Sequence, residues 1–401
     1  MMSVRAPGDA HTVIVGGSVA GVRCLQALRQ KGYDGRITLV EAEVHQPYDK
    51  PDLSKSALTG TEPRRLLDLA EVDDRDEVVL GDPATGVDLT RSEVALSSGR
   101  VLVFSDLVVA TGARARRLPS FDVFPNVHYL RSLDDARRLR ADLAAARRIV
   151  VVGGGFIGGE VASSARERGV DVTIVEAGPR LLTRSMPAEV AEHLQGIYER
   201  HGVQVVFDTV AARGVPGDGG VLRSVEMGDG SVVEADLVVI GVGSVPNCEW
   251  LASSGMPIDD GLHCGPDLRV AGTDRVFAIG DVARVRSATD ANGSTSSRHE
   301  HWTSAREQAS IAAQNIRQVG SATHRATGFV WSDQFGHRIQ HVGSADPGAD
   351  AVVDVAHLDH GGVIFHHRGA TGQVVGATAI DAQREFAAVR RALSLAPFAA
   401  V

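Results

Sequence analysis

RIVVVGGGFIGGEVASSARERGVDVTIVE, residues Arg148 to Glu176, is the stretch from which the rest of the chain can be read. Arg148–Val152 is a short apolar run of the kind that forms a buried strand, and Phe156–Arg168 carries apolar residues at helical spacing. Asp171–Glu176 is a second strand, and it ends in an acid. The turn between strand and helix reads G-x-G-x-x-G, with Gly153, Gly155 and Gly158 in the three fixed places. In a βαβ unit the first glycine makes the turn, the second lets backbone approach a pyrophosphate, and the third lets helix and strand pack closely. The helix N-terminus draws negative charge to the same spot. A glycine turn without a ligand is the bland alternative, and the acid after the second strand argues against it. In that place Glu176 binds adenosine ribose hydroxyls and repels a 2′-phosphate, which favours NAD over NADP. Arg180 and Arg184 stand close enough in sequence to weaken that preference.

A unit of the same design stands about one domain upstream. Thr12–Val15 is a strand, Val19–Lys31 a helix and Arg36–Glu41 a strand ending in an acid. Its turn reads Gly16-Gly17-Ser18-Val19-Ala20-Gly21, so Ser18 puts a side chain where backbone must nearly touch phosphate. Glu41, 20 residues past Gly21, has the spacing of a ribose-binding acid. Two such units in one chain predict two nucleotides. Between them Arg100–Ala110 is one apolar strand running into Thr111-Gly112-Ala113, and Leu237–Gly243 is its counterpart, running into Ser244-Val245-Pro246-Asn247. Val276–Asp281 is a further strand ending in a glycine and an acid, Ser287–Ser297 an exposed loop, and Glu300–Arg317 a helix. From Gly328 the pattern turns to short β-like runs, Val352–Leu358 and Gly362–Phe365 among them, and then to a last helix over Asp381–Leu395.

Composition narrows the function. A chain of 401 residues is long enough for two or three domains, each with its own core. A formal net charge of −9 gives no reason to expect nucleic acid as a partner. No run of about 18 apolar residues and no signal-type N-terminus is visible, so a cytoplasmic protein without a membrane anchor is expected. Cys24, Cys248 and Cys264 are far apart, which speaks against disulfides and thiol redox chemistry, and the 15 histidines show no zinc spacing with them. His299 and His301 flank Glu300, which reads most simply as alternation on an extended segment; no metal is expected.

Taken in order, the motifs Tyr48-Asp49-Lys50-Pro51-Asp52-Leu53-Ser54-Lys55, Ala110-Thr111-Gly112-Ala113, Gly153 to Glu160, Gly243-Ser244-Val245-Pro246-Asn247, Ala278-Ile279-Gly280-Asp281, Glu300-His301-Trp302 and Trp331-Ser332-Asp333-Gln334-Phe335-Gly336 carry a resemblance. The chain resembles the FAD- and NADH-dependent ferredoxin reductases of bacterial oxygenase systems, a group that includes putidaredoxin reductase and rubredoxin reductase and shares its fold with apoptosis-inducing factor. The resemblance runs from Thr12 to the last helix. It implies an α/β protein with two Rossmann-like folds, the NAD-binding one inserted in the FAD-binding one, and a small C-terminal α+β domain. The implied division is 1–117 and 248–326 for FAD, 118–247 for NAD and 327–401 for the C-terminal interface.

The same resemblance implies site residues. Gly16, Ser18, Ala20 and Gly21 flank the FAD pyrophosphate, Glu41 holds its ribose, and Lys50, Ala110, Thr111, Gly112, Gly243, Gly280, Asp281, Glu300 and His301 line the rest of its site. Asp281 is alternatively a helix N-cap. Gly153, Gly155, Phe156, Ile157, Gly158 and Glu176 take NAD. Lys55 lies beside the reactive edge of the flavin and pairs with Glu160, so that a cation stabilises reduced flavin and the acid holds both the lysine and the nicotinamide amide. Taken without the resemblance, Lys55 reads as a solvated surface lysine. Trp302 and Trp331 cover the flavin, with core packing the alternative for Trp302. Three departures stand out: Lys50 replaces an arginine and cannot make a bidentate contact, Asp52 replaces a second proline, and His337 follows Phe335-Gly336.

The implied reaction takes hydride from NADH onto FAD and passes single electrons to a small iron–sulfur ferredoxin. A reductase of a small organic acceptor such as a quinone, and a non-catalytic NADH/FAD redox sensor, use the same sites and stay open here. Disulfide reduction does not, because Gln46–Lys55 holds no cysteine. Monomer and homodimer are equally compatible with the sequence.

Overall fold

The computed structural model describes residues 10–69, 72–183, 185–287, 295–317, 322–344 and 352–395. The first nine residues, Arg184 and residues 288–294 of the expected loop lie outside the described residues. The helices are α1 (Val19–Gln30), α2 (Ser56–Thr59), α3 (Leu133–Leu143), α4 (Phe156–Glu167), α5 (Ala188–Arg200), α6 (Trp302–Ile316) and α7 (Gln383–Leu395). Among the described residues no helix is long and apolar enough to cross a membrane.

Two five-stranded sheets are parallel throughout. The first runs, edge to edge, Val276–Ala278, Asp106–Val109, His11–Val15, Arg36–Glu41, Asp76–Leu80. The chain leaves this sheet after Val109 and returns to complete it at Val276, and the second sheet is built in the interval. That sheet runs Val203–Val206, Asp171–Val175, Arg148–Val152, Leu237–Ile240, Val127–Tyr129. Val13, Ile14, Val150 and Val151 at the sheet centres are wholly buried, because both faces are covered: Val151 belongs to the cluster that includes α4, and Val150 packs with Leu222 and Val225 of a small antiparallel sheet. The third five-stranded sheet is antiparallel, in the order Val330–Gln334, His337–Gly343, Val374–Ile380, Val363–Arg368, Val352–His357, with α7 against it.

The expected single strand Arg100–Ala110 is two strands. Val101–Val103 pairs antiparallel with Glu93–Leu96 in a small sheet, and Asp106–Val109 enters the first large one. Their burial explains the division: Val101 and Val103 are exposed on either side of buried Leu102, whereas all of Asp106–Val109 is buried. One strand has a solvent face, as suits a small surface sheet, and the other has none, as suits the interior of the large one. The strand expected over Val276–Asp281 stops at Ala278, because Gly280 takes φ +74° and opens a short 3-10 turn. Leu237–Gly243 likewise ends at Ile240, and Ser244–Pro246 pairs separately with Ala113–Ala115.

One apolar cluster positions the site. It joins Leu53, Ala57 and Leu58 to Val161, Ala162 and Ala165 of α4 and to Phe335, Ile339 and Phe365 of the antiparallel sheet. Each large side chain fully buried there contributes about 1.5–3 kcal/mol, so three separate stretches of chain are held in one register. Cys24, Cys248 and Cys264 are buried and free. Burial raises all three thiols, Cys24 and Cys264 to about 12 and Cys248 to about 11, which makes them poor nucleophiles.

Candidate functional site

Two cradles repeat the same geometry. In the first, Gly16 takes φ +116° and donates to Val40 O at 2.8 Å; in the second, Gly153 takes φ +107° and donates to Val175 O at 2.8 Å. A Cβ on Gly16 would lie 2.1 Å from Ala110 O, and one on Gly153 would lie 2.4 Å from Gly241 O. Gly21 and Gly158 carry the close approach of helix to strand: an added Cβ would sit 1.9 Å from Gly16 O and 2.1 Å from Gly153 O respectively. Neither α1 nor α4 has a side-chain cap or an acid in its first turn, whereas α3 is closed by the Ser132–Asp135 capping box. The first N–H groups of α1 and α4 are therefore left for an anion.

The acids are equally matched. Glu41 accepts from Gly17 N at 2.6 Å and Glu43 N at 2.9 Å, and Glu176 accepts from Gly154 N at 2.7 Å and Gly178 N at 2.8 Å. Each carboxylate is thus fixed beside its glycine turn with lone pairs left over for ribose hydroxyls. Gly155 has open space where its Cβ would be, while Ser18 stands in that place in the first cradle. Ile157 is 46% exposed at the mouth of the second cradle, beside Phe156 at the start of α4. These residues fit two dinucleotides, one per cradle.

Ala110, Thr111 and Gly112 join the first cradle. Ala110 N donates to Val15 O at 2.7 Å, and Thr111 Oγ1 donates to Asn247 O at 2.8 Å. Gly280 is held there by Gln308 Oε1 at 2.7 Å, and Ala20 Cβ lies 3.1 Å from the point a Gly280 Cβ would occupy. Asp281 is not a helix cap. It lies inside the 3-10 turn and pairs with Arg131 Nη2 at 2.9 Å, while Arg131 Nε donates to Ala113 O at 2.7 Å. Arg131 is a member of the site that motif reading does not find, because it belongs to no motif. Gly243 accepts from Arg116 N at 2.9 Å, and Glu300 binds Arg298 and accepts from Ser244 Oγ at 2.5 Å. His301 stands at the N-cap position of α6 without bonding it through its side chain; burial pulls down its affinity for protons, against the opposite pull of Asp281 and Glu300.

Lys50 is drawn away from any bidentate role. Its ammonium donates to Glu43 Oε1 at 2.7 Å and lies 4.9 Å from the centre of the Tyr48 ring, next to the Glu41 loop. Asp52 accepts from Arg64 N at 3.0 Å, and His337 bonds Asp381 at 2.6 Å. Among the described residues no group of three metal-ligating side chains is placed to hold an ion.

Between the cradles lies a third constellation. Lys55 Nζ is 2.8 Å from Glu160 Oε2, with Lys55 22% exposed and Glu160 4%, so the lysine is far from a free surface residue. Lys55 also donates to Pro51 O at 3.1 Å, and Ser54 Oγ donates to the same carboxylate oxygen. The other oxygen accepts from Ser332 Oγ at 2.5 Å. Trp331, next to Ser332, meets Trp302 edge to face at 5.4 Å and 89°. Trp302 Nε1 donates to Asp49 Oδ1 at 2.6 Å, and Asp49 is held in turn by Arg64. The two tryptophans are thus joined to each other and, through Asp49, to the Tyr48–Lys55 segment, and the bond to Asp49 gives Trp302 a fixed orientation beyond apolar packing; on its strand Trp331 faces the side opposite Ser332. A surface groove of about 730 Å³ lined by Asn126, Asp142, Arg148 and Asp236 contains none of these residues.

Comparisons with known proteins agree along nearly the whole chain. Residues 10–309 match the family model described as pyridine nucleotide-disulphide oxidoreductase, and residues 329–397 match the reductase C-terminal model. The chain is 34% identical over 385 residues to the ferredoxin–NAD(+) reductase component of the p-cumate 2,3-dioxygenase system of Pseudomonas putida, covering 94% of this chain and 92% of that protein. It is 33% identical over 338 residues to the rubredoxin–NAD(+) reductase of the same organism, covering 83% and 86%. Among solved structures, the ferredoxin reductase for the CYP199A2 system of Rhodopseudomonas palustris superposes with a TM-score of 0.88 at 29% identity, covering 94% and 92% of the two chains. The reductase of the covalent putidaredoxin reductase–putidaredoxin complex does so with a TM-score of 0.87 at 29% identity, covering 96% and 93%.

Proposed function

Since the chain belongs to the pyridine nucleotide-disulphide oxidoreductase family, in the branch that ends in a reductase C-terminal domain, we propose that it carries electrons from NADH through FAD to a small iron–sulfur ferredoxin of an oxygenase system. Its relatives are ferredoxin–NAD(+) reductase components of such systems, and oxidoreductases of this kind use FAD and NAD(H). The reading includes a division into a FAD fold (1–117 and 248–326), an NAD fold (118–247) and a C-terminal domain (327–401), and a cytoplasmic location.

The observation that carries the reading is the Lys55–Glu160 pair at 2.8 Å between two dinucleotide cradles. Bound FAD supplies the conversion of one two-electron donation into single-electron steps. The residues do the rest. The α1 turn with Gly16, Ser18 and Gly21, together with Glu41, Asp281 and Arg131, binds one dinucleotide by its pyrophosphate and ribose. The α4 turn with Gly153, Gly155 and Gly158, together with Glu176, binds NADH and disfavours a 2′-phosphate. Lys55 places a fixed positive charge where negative charge accumulates on reduction, in surroundings that make it count for more than in water. Glu160 holds that ammonium and offers an acceptor to the nicotinamide carboxamide. Trp302 and Trp331, joined edge to face, are the aromatics that would cover the flavin.

The test is stopped-flow reduction of the purified flavoprotein by NADH and by NADPH, followed by reoxidation against a panel of ferredoxins. Faster reduction by NADH and a ferredoxin-dependent rise in reoxidation are expected. Reoxidation that no ferredoxin accelerates overturns the assignment.

A further inference from the structure

We infer that Tyr198, Gln334 and Ser332 form a directed hydrogen-bond relay that positions the Glu160 carboxylate, and through it the Lys55 ammonium. The C-terminal sheet and α5 thereby set the geometry of the hydride site. This rests on the role proposed above for the Lys55–Glu160 pair.

The relay is continuous. Tyr198 Oη donates to Gln334 Oε1 at 2.5 Å, Gln334 Nε2 donates to Ser332 Oγ at 2.9 Å, and Ser332 Oγ donates to Glu160 Oε1 at 2.5 Å. Its direction follows from chemistry. A carboxylate only accepts, so the serine hydroxyl must donate to it; the serine oxygen then takes an amide N–H, and the amide carbonyl is left for the phenol. All four groups are buried: Ser332 is 0% exposed, Tyr198 and Gln334 are 2% and Glu160 is 4%. Solvent cannot replace a lost member there. The phenol titrates well above its ordinary range, through burial first and the Glu160 charge second.

Gly159 is the independent sign that the relay is built into the fold. It lies inside α4, where glycine is a poor helix former, and its φ is not positive. A Cβ there would lie 2.1 Å from Tyr198 Oη and 2.7 Å from Gln334 Oε1, so the missing side chain is the space through which the phenol reaches the amide. The strand that brings Ser332 and Gln334 is fastened to the same helix by Phe335 N, which donates to Ser163 Oγ at 2.7 Å. Glu160 thus has one oxygen facing Lys55 and Ser54 and the other fixed by the relay.

The chain has three lysines, Lys31, Lys50 and Lys55, which makes the test direct. The flavin-loaded protein is acylated briefly with a succinimidyl acetate and digested, and the ratio of Lys55 to Lys31 modification is read by mass spectrometry. An ammonium held against a carboxylate acylates slowly. Ser332→Ala raises the ratio about fivefold, and Tyr198→Phe, which removes an oxygen bonded to neither Glu160 nor Lys55, raises it about twofold, as expected from loss of one hydrogen bond near and far along the relay. Both lower the limiting rate of reduction by NADH by similar factors. Glu160→Gln is the reference. If it frees Lys55 and slows reduction while Ser332→Ala and Tyr198→Phe match the unsubstituted protein in both readouts, the relay is overturned and the functional reading stands. If Glu160→Gln leaves reduction at full rate, the role proposed for the pair fails, and the acylation ratios of the other two variants still decide the relay.

Discussion

Removing Lys55 should strand a buried carboxylate, and the cost can be worked from the geometry. At 2.8 Å the attraction between Lys55 and Glu160 is about 6 kcal/mol for an effective dielectric constant of about 20, before desolvation is set against it. Taking one partner from a buried pair costs about 3–5 kcal/mol. Lys55 is 22% exposed and Glu160 keeps the hydroxyls of Ser54 and Ser332, which brings the cost of Lys55→Met below that range, to about 2 kcal/mol. Glu160→Gln leaves Lys55 with Pro51 O and some solvent, and should cost about 1 kcal/mol. The double variant Lys55→Met/Glu160→Gln strands no charge and should also cost about 1 kcal/mol, which makes the coupling between the two sites about 2 kcal/mol. In a chain of this size that corresponds to a recovery of about 2–4 °C in Tm relative to the sum of the single variants. The assay is thermal denaturation of the four flavin-loaded proteins at pH 7, followed by circular dichroism. Strictly additive Tm shifts would refute the pairing and with it the electrostatic argument for this site.

Arg131→Ala leaves Asp281 without its cation at the first cradle, and FAD affinity should fall about tenfold when apoprotein is titrated with FAD by flavin fluorescence; an unchanged Kd speaks against a place for Arg131 in the site. Glu176→Ala removes the negative charge facing a 2′-phosphate and should raise the NADPH-to-NADH ratio of kcat/KM about tenfold or more, whereas an unmoved ratio means that other residues set the preference. Stability should fall on acidification because burial lowers the affinity of His324 for protons to a pKa of about 4 and that of His341 to about 3. Below about pH 6.5 the unfolded chain protonates these rings and the folded chain does not, so each removes up to about 1.4 kcal/mol per pH unit until its folded value is reached. Tm should drop between pH 7 and pH 5, and His341→Gln should make that slope shallower; a slope identical to that of the unsubstituted protein refutes the assignment.

Much of this protein is written in local pattern. Arg148–Glu176 and Thr12–Glu41 each read as strand, glycine turn, helix and acid, because the strand, turn, helix and ribose-binding acid of a dinucleotide site fall within about 30 residues of sequence. Period marks the limits of such reading. Arg100–Ala110 looks like one apolar run, yet Val101, Leu102 and Val103 alternate between solvent and core while Asp106–Val109 is buried throughout.

The sequence by itself determined the two nucleotide turns, their acids and the order in which they occur. The tertiary structure decided what surrounds the reacting centre. Lys55 and Glu160 are 105 positions apart, Arg131 and Asp281 are 150 apart, and Ser332 reaches Glu160 across 172. No periodicity or spacing rule connects residues at such separations. Lys55, Glu160 and Ser332 meet because α4, the Lys50–Thr59 segment and the antiparallel sheet share one apolar cluster, and polar groups buried beside it must be paired.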